Sequence, residues 1–229
     1  MIRNYYNFLR KPKDALSDYK AYYKFDGNIL DESGNFNGSN PIDLTYINDR
    51  NGNANKALRL NGTTSQFDIL NNFAVSDVKT LNFWAKMGYG ASSQTLIAIG
   101  QNSVSYTWGW VVLSTTKLIA GYFTGVGFQY NAFEYTGTLD AANWHNYNIQ
   151  FPDFTHIDIS NAGLWIDDSL KTISQYTGVS SPTPPVVTGG SRVGDDYNIS
   201  SDWHIQCDLD ELRIYGRELT ASERATLAA

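Results

Sequence analysis

The chain has 229 residues, of which 42% are hydrophobic, enough to bury the core of one large domain. Its formal net charge of −6 argues against nucleic acid as the main partner. The single cysteine, Cys207, excludes an intrachain disulfide, and no segment approaches the roughly 18 apolar residues of a membrane span.

The first 24 residues differ in charge from the rest of the chain. Residues 1–24 hold six basic and two acidic side chains and sum to +4, whereas the other 205 residues sum to −10. A basic arm (1–20) on an acidic body (21–229) predicts a segment that docks on a virion or oligomer partner, although a solvated tail fits the same charges. The start, MIRNYYNFLRK, lacks the apolar run of a signal peptide, so we expect synthesis in a cytosol unless a signal has been removed.

The stretch KFDGNILDESGNFNG, Lys24 to Gly38, contains three acids, three Asn and three Gly. It is not an EF-hand, because alignment on Asp26 puts Asp31 where that loop requires Gly. A polar turn, in which Asn and Asp side chains bind nearby backbone groups, fits the composition. A cation site that uses residues from elsewhere in the chain also fits.

Apolar or alternating runs recur between clusters of Gly, Asn, Ser and Asp, a pattern typical of antiparallel β-structure. Short strands with almost no helix predict a sandwich or barrel. The Pro- and Gly-rich stretch Ser180–Gly190 is predicted to be a loop. The predicted strands are Ala21–Phe25, Ala57–Leu60, Phe67–Ile69, Thr80–Lys86, Thr95–Gly100, Trp108–Ser114, Leu118–Phe123, Phe128–Tyr135, Trp144–Phe151, Gly163–Ile166 and Ile205–Tyr215.

The middle of the chain holds more aromatic residues than a core needs. In TWGWVV, Trp108 and Trp110 lie on one side of the strand, and Val111 lies on the other. If the valine side is the core, the two tryptophans face outward and can stack on sugar rings, with Tyr130 and Asn131 in the next candidate loop. The opposite assignment makes the tryptophans core residues.

Two later strands carry a pattern of faces. In WHNYNIQF, alternation predicts one packed face, with Tyr147 and Ile149, and one wet face, with Asn146 and Asn148. In DELRIY, Asp210 shares a side with the core residues Leu212 and Ile214, and Asp208 is predicted on the other face. An inward carboxylate is costly, so Asp210 needs a cation or several hydrogen-bond donors.

The chain ends in RELTASERATL, which predicts a short helix. Thr220 followed by Glu223 fits a capping box, in which the Thr hydroxyl and the Glu carboxylate each satisfy a free backbone amide. We expect the helix to begin at about Ala221.

Six stretches resemble successive blocks of a laminin-G-like domain, over about Ala21 to Leu227. The resemblance implies a concanavalin A-like jelly roll, an all-β sandwich of two antiparallel sheets with a short C-terminal helix. The chain departs from the family pattern after the late strand, where Asp167-Asp168-Ser169 replaces the usual Asp-Gly turn. The blocks are AYYKFDGNILDESGNFNG, ALRLNGTTSQFDI, LNFWAKM, NWHNYNIQF, GLWIDD and DLDELRIYGRELTASERATL.

The resemblance also implies a structural calcium ion that joins the two ends of the chain. Asp26 and Asp31 would come from the first loop and Asp210 from the last core strand, with backbone carbonyls near Asn28 completing an oxygen shell. Such a shell of six to eight oxygens is what Ca²⁺ prefers. The alternative is a hydrogen-bonded loop, with Asp210 bound to backbone amides.

Signals of catalysis are weak, and we expect no enzyme. The three histidines lack metal-site spacing, and the Gly-x-Ser-x-Gly motif is absent. Jelly-roll glycoside hydrolases carry Glu-x-Asp-x-x-Glu on one strand, and DLDE at Asp208–Glu211 only approaches it. We therefore predict a carbohydrate- or cell-surface-binding module, which a bacteriophage could carry on its virion surface. The alternatives are a purely structural virion protein anchored by residues 1–20 and a glycoside hydrolase.

Overall fold

The computed structural model describes residues 16–70, 74–87, 94–102, 107–113, 116–124, 129–151, 160–176, 190–196 and 203–229. In these ranges the chain forms a sandwich of two antiparallel sheets and one short C-terminal helix, α1 (Ala221–Leu227). The predicted fold class is therefore confirmed. The helix is far too short to cross a bilayer, and no other helix within the described ranges is a candidate span.

Sheet 1 has the strand order β13-β12-β11-β6-β16-β4-β3, and β1 also pairs with β16. Its strands are β1 (Ala21–Tyr23), β3 (Thr45–Ile47), β4 (Ala57–Asn61), β6 (Thr80–Met87), β11 (His145–Gln150), β12 (Gly163–Ile166), β13 (Ser169–Leu170) and β16 (Gln206–Tyr215).

Sheet 2 has the order β14-β10-β9-β8-β7-β15-β5-β2. Its strands are β2 (Gly38–Ile42), β5 (Gln66–Ile69), β7 (Gln94–Asn102), β8 (Thr107–Leu113), β9 (Lys117–Thr124), β10 (Gln129–Thr136), β14 (Ser174–Gln175) and β15 (Gly190–Val193). A short 3₁₀ helix, Val75–Asp77, precedes β6.

One continuous core fills the space between the sheets. Leu58, Phe83 and Tyr147 from sheet 1 belong to it, as do Val111 and Phe133 from sheet 2. Cys207 is buried in this core. Each of the eleven predicted strands overlaps an observed one. The predicted loop Ser180–Gly190 lies outside the described residues up to position 189, and Gly190 begins β15.

The long strand β16 contains a bulge that changes which face Asp210 occupies. The register with β6 shifts between Asp210 and Arg213, and Glu211 has φ of +52°. A bulge inserts an extra residue and reverses the alternation of faces beyond it. Leu212 and Ile214 do face the core, but the prediction that Asp210 shares their side was wrong. Asp208 and Asp210 both lie on the outer face.

The C-terminal segment covers the part of the outer face of sheet 1 that β6 and β11 form. Gln150 donates to the Leu219 carbonyl (3.0 Å), and Asn146 and Trp84 donate to the Leu227 carbonyl (3.2 and 3.1 Å). The predicted wet face of β11 is therefore buried, which corrects that prediction. The amide side chains donate hydrogen bonds to backbone carbonyls in place of water. A row of polar residues in the sequence therefore does not show whether the face is exposed or covered.

The helix α1 forms as the sequence predicted. Thr220 Oγ1 accepts from the backbone of Glu223, whose carboxylate accepts from the backbone of Thr220, so the capping box is complete. Leu219 and Leu227 pack in a small second core with Tyr215, together with Leu16 and Tyr19.

Residues 16–20 belong to this packed body. Arg217 holds Asp18 with two hydrogen bonds of 2.6 and 2.9 Å, and the Lys20 amide donates to the Ile214 carbonyl. The predicted boundary of the arm at residue 20 thus falls inside a docked segment. Residues 1–15 of the predicted arm lie outside the described residues.

The turn between β12 and β13 departs from the Asp-Gly pattern without loss of the hairpin. Asp167 and Asp168 both have positive φ, +52° and +55°. Two-residue hairpin turns of this kind require positive φ at both positions, and Asp tolerates that region better than most residues. Asp167 also accepts a bond from the Asn146 amide at 2.9 Å, which ties the turn to β11.

Candidate binding surfaces

A row of charged side chains crosses the outer face of sheet 1. Asp208 of β16 stands in register with Arg59 of β4 on one side and with Lys86 of β6 on the other. Lys86 Nζ lies 5.5 Å from the ring centre of Trp144, the residue just before β11. The row therefore runs Arg59, Asp208, Lys86, Trp144 across four neighbouring segments.

This row forms the floor of an open groove of about 420 Å³, the Trp144 groove. Its wall is the last residue of β3, Ile47, and the two residues that follow, Asn48 and Asp49. A second depression of about 290 Å³ shares Arg59, Lys86 and Asp208 and extends the groove toward Asn61 and Gln206. Volumes of a few hundred Å³ with a few polar groups and an aromatic ring are typical of small-ligand sites.

The charges in the groove are unevenly paired. Arg59 holds Asp208 with Nε to Oδ1 at 2.7 Å and Nη2 to Oδ2 at 2.9 Å, a two-pronged contact that occupies both carboxylate oxygens. Lys86 forms no ion pair within the described part of the chain and instead lies over the Trp144 ring. Since Lys86 makes no salt bridge to Asp208 or to another described carboxylate, its charge stays available at the groove surface.

Behind the groove, a buried ionic cluster joins the β3–β4 loop to the bulge of β16. Arg50 Nη1 lies 3.0 Å from Asp210 Oδ2, and Arg50 Nη2 lies 3.1 Å from Glu211 Oε2. Arg213 lies 3.3 Å from the other oxygen of Glu211, and the Tyr22 hydroxyl donates to that oxygen at 3.0 Å. The cluster fixes the loop whose other face lines the groove.

Burial has the largest effect on the pKa of Asp210. Burial and the Glu211 charge raise the pKa of Asp210 to about 7, although the Arg50 charge acts in the opposite direction. Asp210 Oδ1 has no hydrogen-bond partner among the described residues, which fits this loss of solvation. For Glu211, burial also favours the neutral form, but the charges of Arg213 and Arg50 outweigh it and lower the pKa.

The residues predicted to bind calcium have other partners. Asp31 accepts from the backbone amides of Tyr22 (2.7 Å), Phe36 (3.0 Å), Ser33 (3.1 Å) and Asn35 (3.2 Å) and from the Ser33 hydroxyl. These donors occupy both of its oxygens.

The other two predicted acids are paired with basic side chains. Asp26 lies 2.8 Å from Lys56 Nζ, and Asp210 pairs with Arg50. Asn28 Oδ1 accepts from the Leu30 amide at 2.8 Å within its own turn. Among the described residues, no three His, Cys, Asp or Glu side chains come together as a metal site. These partners do not fit a calcium ion, whose presence stays a prediction. The hydrogen bonds of Asp31 favour the alternative of a polar loop, but Asp210 pairs with Arg50 and not with backbone amides, which corrects that part of the alternative.

The structure brings together three of the four predicted ligand-binding positions. In β8, Val111 and Leu113 belong to the core, and Trp108 and Trp110 occupy the alternate positions of the strand. Trp108 is in register with Phe123 of β9, which is in register with Tyr130 of β10. These positions form one row on the outer side of sheet 2, the Trp108 row. For these residues only the backbone positions are described.

Asn131 does not share that face. It pairs with Tyr122, which pairs with Gly109, on the side of the strands that Val111 and Phe133 occupy. Tyr130 and Asn131 also lie in a strand, β10, and not in the loop where the sequence analysis placed them. Successive side chains of a strand point to opposite faces, so Tyr130 and Asn131 lie on different faces of the sheet.

The residues of the Trp144 groove were missed from the sequence. Arg59 and Lys86 each stand alone among apolar neighbours, in ALRLN and TLNFWAKM, on strands whose next residues are buried. A single charged residue that alternates with core positions marks an outer face, and this was the available signal. Nothing local indicated that Arg50 would lie beside Asp210.

His145 lies beside the groove between two carboxylates. Its Nδ1 is 2.6 Å from Asp167 Oδ2, and its Nε2 is 3.4 Å from Asp140 Oδ2. Partial burial lowers the pKa of His145, but the bonds to Asp167 and Asp140 outweigh this and raise it. Asp140 also accepts from the Ala142 amide and from Asn143, so it organises the loop that leads into Trp144.

No family profile and no curated protein matches this sequence. The predicted membership of the laminin-G-like family therefore stays a prediction.

Solved structures do share the fold. The binding domain of botulinum neurotoxin serotype G has a TM-score of 0.66 at 16% identity, over 92% of this chain and 50% of the toxin domain. The binding domain of Paraclostridial Mosquitocidal Protein 1 has a TM-score of 0.63 at 15% identity, over 92% of this chain and 51% of its own length. This chain spans about half of these two domains.

A third structure matches over nearly its full length. Domain 4 of AbnA, a GH43 extracellular arabinanase from Geobacillus stearothermophilus, in complex with arabinotriose, has a TM-score of 0.63 at 20% identity. The match covers 93% of this chain and 98% of that domain. At these identities the likeness establishes the fold alone, a β-sandwich also found in the two binding domains and in domain 4 of the arabinanase.

Proposed function

We propose that the chain is a non-catalytic carbohydrate-binding module that recognises glycans on a cell surface through the outer face of sheet 2. The observation that carries the proposal is the Trp108 row, in which β-sheet register aligns Trp108, Phe123 and Tyr130 across three adjacent strands. Aromatic residues in a row suit the flat C–H faces of successive sugar rings.

The neighbours of Trp110 support the same surface. Trp110 pairs with Gly121 of β9 and with Ala98 of β7, and Gly121 pairs with Ala132 of β10. Ala98, Gly121 and Ala132 are small and buried, so Trp110 is the one large residue among these four outward positions. Val111 and Leu113 fill the core from the other side of β8, so the core does not require either tryptophan.

A glycan array followed by calorimetry tests the proposal. Replacement of Trp108 or Trp110 by Ala should weaken glycan binding by about 1–3 kcal/mol, the range of other ring-stacking contacts, with little change in the urea midpoint. Trp203→Ala is the control, because Trp203 is exposed in a loop outside the row. A loss of about 3–5 kcal/mol of folding stability would mean that the tryptophans are core residues and would contradict the proposal.

The finer role, as a receptor-binding or structural protein of a virion, depends on residues 1–20. Of these, residues 16–20 are docked on the body through Asp18, Leu16 and Tyr19. A chain without residues 1–15 therefore separates the two roles. Retained glycan binding with loss of particle incorporation would support a virion receptor-binding protein, whereas incorporation with no glycan bound would favour a purely structural role.

A further inference from the structure

The Trp144 groove lies on the opposite side of the sandwich from the Trp108 row, and the proposed function does not use it. Trp144 is half-buried, and its position is fixed from two directions. Lys86 holds one side of the ring, and the loop organised by Asp140 leads into it. A pre-positioned indole beside charged groups is an amphipathic surface of the kind that binds a sugar ring.

The polar groups of the groove are mainly donors. A guanidinium has five N–H groups and an ammonium has three, and neither can accept a hydrogen bond. Arg59 directs two of its five groups at Asp208, and Lys86 directs its charge at a ring. The donors that remain on Arg59 and Lys86 stand on the two sides of Asp208 and require acceptor oxygens from a ligand.

The two carboxylates that line the groove already accept hydrogen bonds on all four of their oxygens. Both oxygens of Asp208 bind Arg59. Asp49 accepts from the amides of Asn51 and Asn53 at 2.8 Å and from the Asn53 side chain at 2.9 Å. The formal charges of Arg59, Lys86, Asp49 and Asp208 cancel, so the groove exerts little long-range attraction and its selectivity must arise at contact.

We propose that the Trp144 groove binds an acidic saccharide, a sugar whose ring carries a carboxylate or a sulfate. The sugar stacks its C–H face on Trp144, and its single negative group binds Lys86, the groove cation that lacks a carboxylate partner among the described residues. The remaining N–H groups of Arg59 bind neighbouring oxygens of the sugar. A neutral sugar keeps the stacking contact and loses the charged one, which is the basis of the selectivity.

Calorimetry with three matched oligosaccharides tests this site. The probes are an oligogalacturonate, a sulfated galactose oligomer and a neutral galactose oligomer of the same length. We expect at least one acidic probe to bind about tenfold more tightly than the neutral one, and which of them does so distinguishes carboxylate from sulfate. Equal affinity for all three probes, tighter binding of the neutral one, or no binding would overturn the proposal.

Two variants assign the binding to the groove. Lys86→Met should abolish the preference for the acidic probe, so that the acidic and neutral probes bind with equal affinity. Lys171→Met, which removes an equal charge from the segment after β13, is the matched control and should change nothing. A Lys86→Met protein that keeps the preference would place the anion elsewhere and refute the site.

Nuclear magnetic resonance of the native protein provides a measurement that does not depend on variant stability. The indole N–H signal of Trp144, identified by its absence in Trp144→Phe, should shift on titration with the acidic probe. Trp108→Ala should leave that shift intact, since the Trp108 row lies on the other sheet. If the Trp144 signal stays still while Trp108→Ala abolishes binding of the acidic probe, the proposal for the groove fails and that for the Trp108 row stands.

Discussion

Arg50 Nη1 lies 3.0 Å from Oδ2 of Asp210, a carboxylate that is 2% exposed on the outer face of sheet 1. The two residues are 160 positions apart in the chain. Arg50 also stacks over the Trp84 ring, with 4.5 Å from its guanidinium carbon to the ring centre. Arg50 thus provides the positive charge beside Asp210 that was predicted to come from a calcium ion. The same contact ties the β3–β4 loop to the last strand.

Removal of Arg50 should destabilise the fold. Arg50→Met leaves Asp210 and Glu211 buried without a shared cation, so we expect a loss of about 3 kcal/mol in the free energy of unfolding at pH 8. Lys56→Met is the control, because Lys56 pairs with the exposed Asp26 and should cost under about 1 kcal/mol. Urea melts of both variants measure the difference. Equal losses of unfolding free energy in the two variants would show that the buried ion pair contributes no more to stability than the exposed one.

Asp210 should make stability fall as pH rises. Its pKa is raised to about 7 in the folded state, whereas an unfolded Asp titrates near 4. Between about pH 4 and 7 the folded state therefore holds a proton that the unfolded chain has released, and stability from this group is lost as pH rises toward 7. Asp210→Asn removes that dependence.

The measurement is the difference in unfolding free energy between the Asn variant and the native protein at several pH values. The Asn variant should become more stable relative to the native protein as pH rises from 4 to 8. The other titrating groups are common to both proteins, so the difference reports Asp210 alone. Parallel curves over this range would show that Asp210 has an ordinary pKa.

The sequence predicted the strands whose pattern is long and missed those that depend on pairing. The alternation of apolar residues extends over all eight residues of Thr80–Met87 and, apart from the shift at the bulge, over the ten residues of Gln206–Tyr215, which fixes a strand and most of its face. β13 and β14 have two exposed residues each, and β2 contains a proline, so nothing local distinguishes them from turns. The sequence signal of the bulge is the spacing of three between the apolar residues Leu209 and Leu212, since no glycine marks the left-handed conformation at Glu211.

The candidate sites were harder to predict than the fold. The alternation around Val111 placed Trp108 and Trp110 on one face, but the alignment of Trp108 with Tyr130 required the register of three strands. The prediction that Asp210 needs a cation followed from the cost of burying a carboxylate. Its partner, Arg50, lies in an irregular loop whose path only the folded structure defines.

The loop that was expected to bind calcium should be indifferent to the ion. Asp31 binds four backbone amides and the Ser33 hydroxyl, so its role is to satisfy buried donors. We expect the same melting temperature in EDTA and in millimolar calcium. Asp31→Asn, which loses acceptor capacity, should cost about 1–3 kcal/mol under both conditions. A melting temperature that rises with calcium in the native protein but not in the variant would restore the calcium site.

His145 should act as a pH-dependent link between the Trp144 loop and the β12–β13 turn. Its pKa is raised because Asp167 and Asp140 outweigh the effect of burial. For a group whose pKa is raised by folding, the added stability is complete below the unfolded pKa of about 6.5 and is lost as pH rises through the folded value. His145→Gln should therefore destabilise the protein more at pH 5 than at pH 8.

Titration of the imidazole by nuclear magnetic resonance measures this pKa directly. Asp167→Asn should lower it, since Asp167 Oδ2 is only 2.6 Å from Nδ1. Asp140→Asn removes a longer contact of 3.4 Å and should have a smaller effect on His145. It should also loosen the turn before Trp144, because Asp140 accepts from the Ala142 amide at 2.7 Å. A His145 pKa at or below about 6.5 in the native protein would mean that desolvation outweighs both carboxylates. His145 would then add no stability at low pH, and the predicted pH dependence would be wrong.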